Sequence, residues 1–219
     1  MSPFFVTGTT AQEIDLRPAP GDVIRSWTSD DLHSYVAARL GTLETGLTNR
    51  SIAAYSAPPT TTPASTTHAR DAGYTFTTVA TDVRVTCGNN RLAALAADAM
   101  TSPVYRYVVT SCPARGARAL NVDFSAKYAF HGWDIYAFFD TYESITPGSH
   151  ASDADKRFSA AMQDNVLFFI KNGKPRDRHW LPYPESVALI GQRVHVNSTY
   201  NSHQCSDLWR SYFKYSWTN

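Results

Sequence analysis

Seven histidines, nineteen acidic residues and three cysteines define the chemistry open to this 219-residue chain. No histidines pair as H-x-H or H-x-x-x-H and no cysteines as C-x-x-C, so a zinc or iron–sulfur site has no support and neither metal nor cofactor is expected. His131 stands out, in Tyr128-Ala-Phe-His-Gly-Trp-Asp, where Gly132 would relieve crowding beside a reachable imidazole. Glu13 follows Phe4-Phe-Val and a Gly-Thr-Thr segment, the kind of place where an open sheet presents side chains at the carboxyl ends of its strands. A carboxylate behind an imidazole fixes its tautomer and stabilises the imidazolium as it takes a proton from a serine. That pair needs a nucleophile, and neither a G-x-S-x-G elbow nor an HGGG-like oxyanion segment occurs in the sequence. On composition and periodicity alone, His131 reads as a loop histidine among aromatics and Glu13 as a solvated loop acid. Phe130, Trp133 and Phe138 have two readings, as the lining of an acyl or alcohol pocket or as packing against a sheet, and packing is the plainer one.

Cys87, Cys112 and Cys205 form an odd set, which leaves three possible pairings open. Two N-x-[ST] sequons, at Asn49 and Asn197, make glycosylation of surface loops possible and lean toward a lumenal protein. The N-terminus lacks a basic stretch followed by a long apolar one, and no run of eighteen apolar residues occurs, so neither export nor membrane spanning is encoded in these residues. Twenty basic residues against nineteen acidic ones argue against a partner held by phosphate neutralisation, and no nucleic acid is expected. With 43% hydrophobic residues the chain suits one domain or a large part of one, able to bury roughly 70% of its unfolded surface.

The elements that must carry these residues are legible in part. Phe4-Phe-Val reads as the end of a buried strand broken by the turn-prone Thr7-Gly-Thr-Thr. Thr28 as N-cap with Asp31 three residues on starts a short helix through about Leu40, with Leu32, Tyr35 and Val36 on one face. Residues 56–67 are almost all Ser, Thr or Pro and read as an exposed loop, with an interdomain linker as the alternative. A helix over Asn90–Met100 is expected to pack through Leu92, Leu95 and Ala99. Val104–Val109, bounded by Pro103 and Pro113, is a β-branched and aromatic strand. Asp153–Lys171 is a second strong helix, with Phe158, Ala161, Met162, Asn165 and Phe169 at steps of three and four, ended by Asn172-Gly173. His203–Phe213 reads as a last amphipathic helix. Helix followed by buried strand points to an α/β fold.

With these segments placed, the chain resembles the C-terminal part of the type-B carboxylesterase and cholinesterase family of α/β-hydrolases. Val6-Thr-Gly-Thr-Thr-Ala-Gln-Glu13 is similar to the family's acid segment, and His131-Gly-Trp-Asp134 to its H-G-x-[DE] histidine motif, 118 residues downstream. Asp82-Val-Arg-Val-Thr-Cys87 resembles the S-D-x-x-x-x-C-P segment, and Pro103-Val-Tyr-Arg-Tyr the strand before the histidine. Phe168-Phe-Ile-Lys-Asn-Gly-Lys-Pro resembles the late helix ending in F-x-x-x-G-x-P. Trp180-Leu-Pro-Tyr and Cys205-Ser-Asp-Leu-Trp209 follow in the family's order. The departures are Ile14, where the family commonly has glycine after the acid, and the missing serine-bearing part.

The resemblance implies an α/β-hydrolase fold, with residues 1–219 forming the C-terminal part of its central sheet and flanking helices. It implies a carboxylic ester hydrolase acting on a small-molecule ester, in which Glu13 and His131 are the acid and base of a Ser-Glu-His triad whose serine lies outside the chain. On that reading the isolated chain is inactive. It further implies a Cys87–Cys205 disulfide with Cys112 unpaired, and a parent protein in the secretory pathway. Oligomeric state is not read from the sequence. The competing readings are a non-catalytic cholinesterase-like adhesion or structural domain and an incomplete gene product.

Overall fold

A computed structural model of the chain describes residues 4–16, 24, 26–41, 43–56, 71–118, 125–146, 150–198, 200 and 204–210. Strand β1 runs Phe5–Thr10, so Thr7-Gly-Thr-Thr is not a turn. It continues the strand in parallel register, with Thr7 opposite Arg106 and Thr10 opposite Val109. Glycine suits position 8 because a Cβ there would collide with the Tyr107 ring of the neighbouring strand. The strand is also less buried than its apolar start implies: Phe4 is 56% exposed, and burial is reached only at Thr9 and Thr10.

Helix α1 (Ser29–Leu40) begins and ends where the capping signal and apolar spacing put it. Thr28 Oγ1 accepts from the Asp31 amide at 3.2 Å while Asp31 Oδ2 accepts from the Thr28 amide at 2.8 Å, the reciprocal arrangement that satisfies two orphan donors. Two further helices were not expected, α2 (Leu47–Ser56) and α3 (Ala72–Thr81). Threonine is a poor helix former, yet in α3 Thr77 and Thr78 donate their hydroxyls to the carbonyls of Gly73 and Tyr74 at 2.9 and 2.8 Å, and Asp71 caps the start by accepting from the Tyr74 amide. Ser56 closes α2, and the rest of the Ser/Thr/Pro-rich stretch lies outside the described residues.

Helix α3 runs on through a π-helical turn at Asp82–Thr86 into α4 (Cys87–Ala99). The expected apolar face of α4 is reversed: Ala93 is fully buried, while Leu92 and Leu95 are 52% and 57% exposed. The reason is steric, since α4 lies against β1 and β2 and small side chains allow that approach. Strand β2 (Val104–Val109) forms as expected. It is followed by α5 (Trp133–Phe139) and by α6 (Asp153–Asn172), which Ser152 and Asp155 cap at its start and Gly173, at φ 66°, ends. A hairpin of β3 (Val187–Ile190) and β4 (Val194–Asn197) had not been anticipated. Residues 204–209 form a π-helical turn with Leu208 and Trp209 buried; the outer parts of the expected helix at 203–213 lie outside the described residues.

The sheet order is β1-β2-β3-β4, parallel across the first three strands and antiparallel between β3 and β4. A mixed sheet with flanking helices makes this an α/β fold. One core packs the sheet against α5 and α6 through Tyr105, Phe130, Trp133, Phe158 and Met162. A second, helical core gathers Leu32, Val36, Leu47, Phe76, Val79 and Trp209. Cys87 and Cys205 are joined in a disulfide that ties the start of α4 to the 204–209 turn, and Cys112 is free.

Candidate active site

At the end of β1 the ladder runs one residue further, the Ala11 amide donating to the Val109 carbonyl at 2.9 Å, before the chain turns into a 3-10 helix at Glu13–Leu16. This turn sets the Glu13 carboxylate back toward the strand. Oε1 accepts from the Thr10 amide at 2.6 Å, and Oε2 lies 2.7 Å from Nδ1 of His131. The two ends of the contact differ: the Glu13 side chain is 8% exposed and that of His131 76%. A proton on Nδ1 is the one such a carboxylate holds, which leaves the Nε2 lone pair facing outward. Among the described residues Nε2 has no hydrogen-bond partner.

The histidine arrives on the segment between β2 and α5. Gly132, at φ 81°, is the N-cap of α5. A Cβ there would meet only Tyr136, at 3.9 Å, so the left-handed backbone, and not crowding by the imidazole, is what calls for glycine. Asp134 accepts from the Tyr107 hydroxyl at 3.0 Å, fixing the start of α5 to β2. Burial, then the Asp134 carboxylate, push the Tyr107 phenol well above its usual range, so it donates at neutral pH. Phe130 and Trp133 are fully buried core residues, and Phe138 packs edge-on against Phe139.

Side chains next to Glu13 carry the join between the two segments. Gln12 donates its backbone N–H to the Ala129 carbonyl at 3.0 Å, and its side-chain Oε1 accepts from the Ala129 amide at 3.2 Å. Asp15, with no exposed surface, accepts on Oδ2 from the amides of Lys127 and Tyr128 at 2.7 and 2.8 Å. Hydrogen bonds of this charged kind contribute about 1.5–3 kcal/mol each. On the other face of β2, Arg106 is fully buried, donating to Thr9 Oγ1 at 2.6 Å, to Asn90 Oδ1 at 3.2 Å and to the Tyr107 carbonyl. Burial lowers its guanidinium to about 10, which leaves it charged at pH 7. The sequence does not mark Gln12, Asp15, Tyr107 or Arg106. Its only available signal was polar residues alternating through and just beyond two strands.

Asn49 is exposed on α2, where its Oδ1 meets His33 Nε2 at 3.0 Å, so that sequon lies on a helix and not in a loop, and Asn197 is half-buried as the last residue of β4. Among the described residues no group of three His, Cys, Asp or Glu side chains is placed to hold a metal ion, and no helix is long and apolar enough to cross a membrane. A groove of about 130 Å³ lies between α1 and α3, lined by Val36, Leu40, Phe76, Val79 and Arg84 among others, and neither Glu13 nor His131 borders it.

A carboxylate–imidazole pair just beyond parallel strands of an α/β sheet is a feature of hydrolases that use a serine nucleophile. The chain belongs to the carboxylesterase family, a family of ester hydrolases: the family model matches residues 21–208. That range includes His131, Cys87 and Cys205, while Glu13 lies ahead of it. No curated protein matches the chain.

Proposed function

We propose that the chain is the C-terminal part of a serine esterase of α/β-hydrolase fold and supplies the acid and base of its triad. The observation that carries this reading is the 2.7 Å contact between Glu13 Oε2 and His131 Nδ1, with the other face of the imidazole exposed. The nucleophilic serine comes from outside these 219 residues, which contain no G-x-S-x-G. His131 Nε2 takes the serine proton as the hydroxyl attacks the ester carbonyl, then gives it to the departing alcohol. Water hydrolyses the acyl-enzyme by the same route in reverse. Glu13 holds the ring in the required tautomer and stabilises the imidazolium. The substrate class is a small-molecule carboxylic ester. The disulfide and the sequons at Asn49 and Asn197 support a secretory-pathway location for the parent protein.

The purified 219-residue chain is expected to hydrolyse p-nitrophenyl acetate no faster than its His131→Ala variant. Turnover that vanishes on His131→Ala would place a nucleophile within the chain and overturn that part of the proposal. In the protein that includes the serine, His131→Ala is expected to lower kcat by about 10⁶-fold and Glu13→Gln by about 10⁴-fold. Variants within tenfold of the parent would remove both residues from the mechanism.

A further inference from the structure

Glu13 reaches His131 from a turn that is fastened to the chain just ahead of the histidine. The imidazole is largely exposed and hydrogen-bonds Glu13, and one hydrogen bond to an exposed side chain is by itself too weak to align segments 118 residues apart. The alignment has another source. Gln12 grips Ala129 in both directions and donates Nε2 to Thr78 Oγ1 on α3 at 3.3 Å. Asp15 takes two consecutive amides, those of Lys127 and Tyr128, on one oxygen. Tyr128 is anchored in turn, its hydroxyl donating to Asp71 Oδ1 at 2.9 Å. The contacts to Lys127, Tyr128 and Ala129 fall between two and four residues ahead of His131 in the chain. Each acts on backbone or buried groups, where a satisfied polar contact specifies one arrangement and an unsatisfied one is costly.

We propose that Gln12 and Asp15 are positioning residues for the acid–histidine pair: together they set the height of residues 127–131 against the Glu13 turn, and so the Nδ1–Oε2 distance. This rests on reading Glu13 and His131 as acid and base. Neither residue touches a reacting atom.

The test follows the Nδ1 proton of His131 by NMR on the ¹⁵N-labelled chain, a readout independent of turnover. Wild type is expected to show a low-field resonance that Glu13→Ala removes. Gln12→Met and Asp15→Leu, which keep side-chain volume but lose the acceptors, are expected to lose the resonance or reduce it at least fivefold in molecules that remain folded. Gln12→Glu and Asp15→Asn retain an acceptor oxygen and are expected to restore it. Residues with a merely structural role would lower the melting temperature and leave the resonance intact. Cys112 gives a second reading, because it stands three residues beyond β2 and the Asp15 charge acts on its thiol. Its labelling by a disulfide reagent should be at least tenfold faster in Gln12→Met. Folded Gln12→Met and Asp15→Leu proteins with the wild-type resonance would overturn the inference; should Asp15→Leu fail to fold, Gln12→Met decides alone. A wild-type spectrum with no resonance sensitive to Glu13 would instead sink the acid–base reading, and the positioning role with it.

Discussion

Gly8 and Tyr107 constrain each other across the β1–β2 pair, and the same tyrosine holds Asp134 at the start of α5. Gly8→Ala drives a methyl group into the ring, and the expected cost is about 1–3 kcal/mol of overpacking in urea unfolding. Most of that cost should disappear when Tyr107→Leu is introduced as well; an additive pair would mean that the ring is not the obstacle. Cys112 offers a pH test. Burial first, then the Asp15 charge, push its thiol up to about 12. Since only the thiolate reacts, alkylation by iodoacetamide should be slow at pH 8 and keep rising with pH beyond 9, where an ordinary cysteine levels off. A plateau near pH 9 would contradict this. At this scale residue type alone reads Glu13 and His131 as loop residues, and it is the motifs of the family resemblance that lead to expecting the contact between them. Gln12 and Asp15 are not legible, because a buried polar side chain is identified by its partners, and the amides that Asp15 meets lie 112 and 113 residues away.

Helices show the same division between local and distant causes. α1 and α6 could be read because each carries its apolar residues at steps of three and four, α1 behind a capping signal and α6 ahead of a glycine stop. α2 and α3 could not, since their Ser/Thr-rich composition has low intrinsic propensity and tertiary packing, above all around Phe76 and Leu47, offsets it. The orientation of α4 failed for a related reason: helical periodicity marks leucines as the buried stripe, but closeness to the sheet selected Ala93. The Cys87–Cys205 bond, 118 residues apart, belongs to this scale too, because it joins the start of α4 to the π-helical turn at 204–209. In a chain-entropy account a loop of that length contributes roughly 4–5 kcal/mol. The Cys87→Ser/Cys205→Ser protein is therefore expected to unfold at distinctly lower urea than the oxidised parent, and coincident midpoints would show that the bond adds nothing. Around it, Trp209 donates to the Tyr55 hydroxyl and Tyr55 to Asp82, each at 2.7 Å, so the turn keeps polar anchors when the sulfurs are reduced.

Over the whole molecule, α/β layering was readable from strand-like runs separated by helices, whereas strand extent was not. Thr7-Gly-Thr-Thr has turn composition, and it becomes strand because Arg106–Val109 supplies a parallel partner from far along the chain. The two cores meet at the pair: one packs Phe130 and Trp133, on either side of His131 in the chain, and the other carries the disulfide and, through α3, lies against the Glu13 turn. The β1–β2 register also has a consequence for how the molecule comes into being. About ninety residues separate these neighbouring strands, so at a synthesis rate of roughly 5–20 residues per second, β1 waits about 5–20 s on the ribosome before β2 exists. Such non-local pairing also slows folding once the chain is complete, and refolding from urea is expected in the millisecond-to-second range or slower; stopped-flow fluorescence showing microsecond refolding would contradict it. During that wait the six residues of β1 lack β2 as a partner, so slower translation between residues 10 and 104 lengthens the time that this edge stays open, whatever the final stability of the sheet.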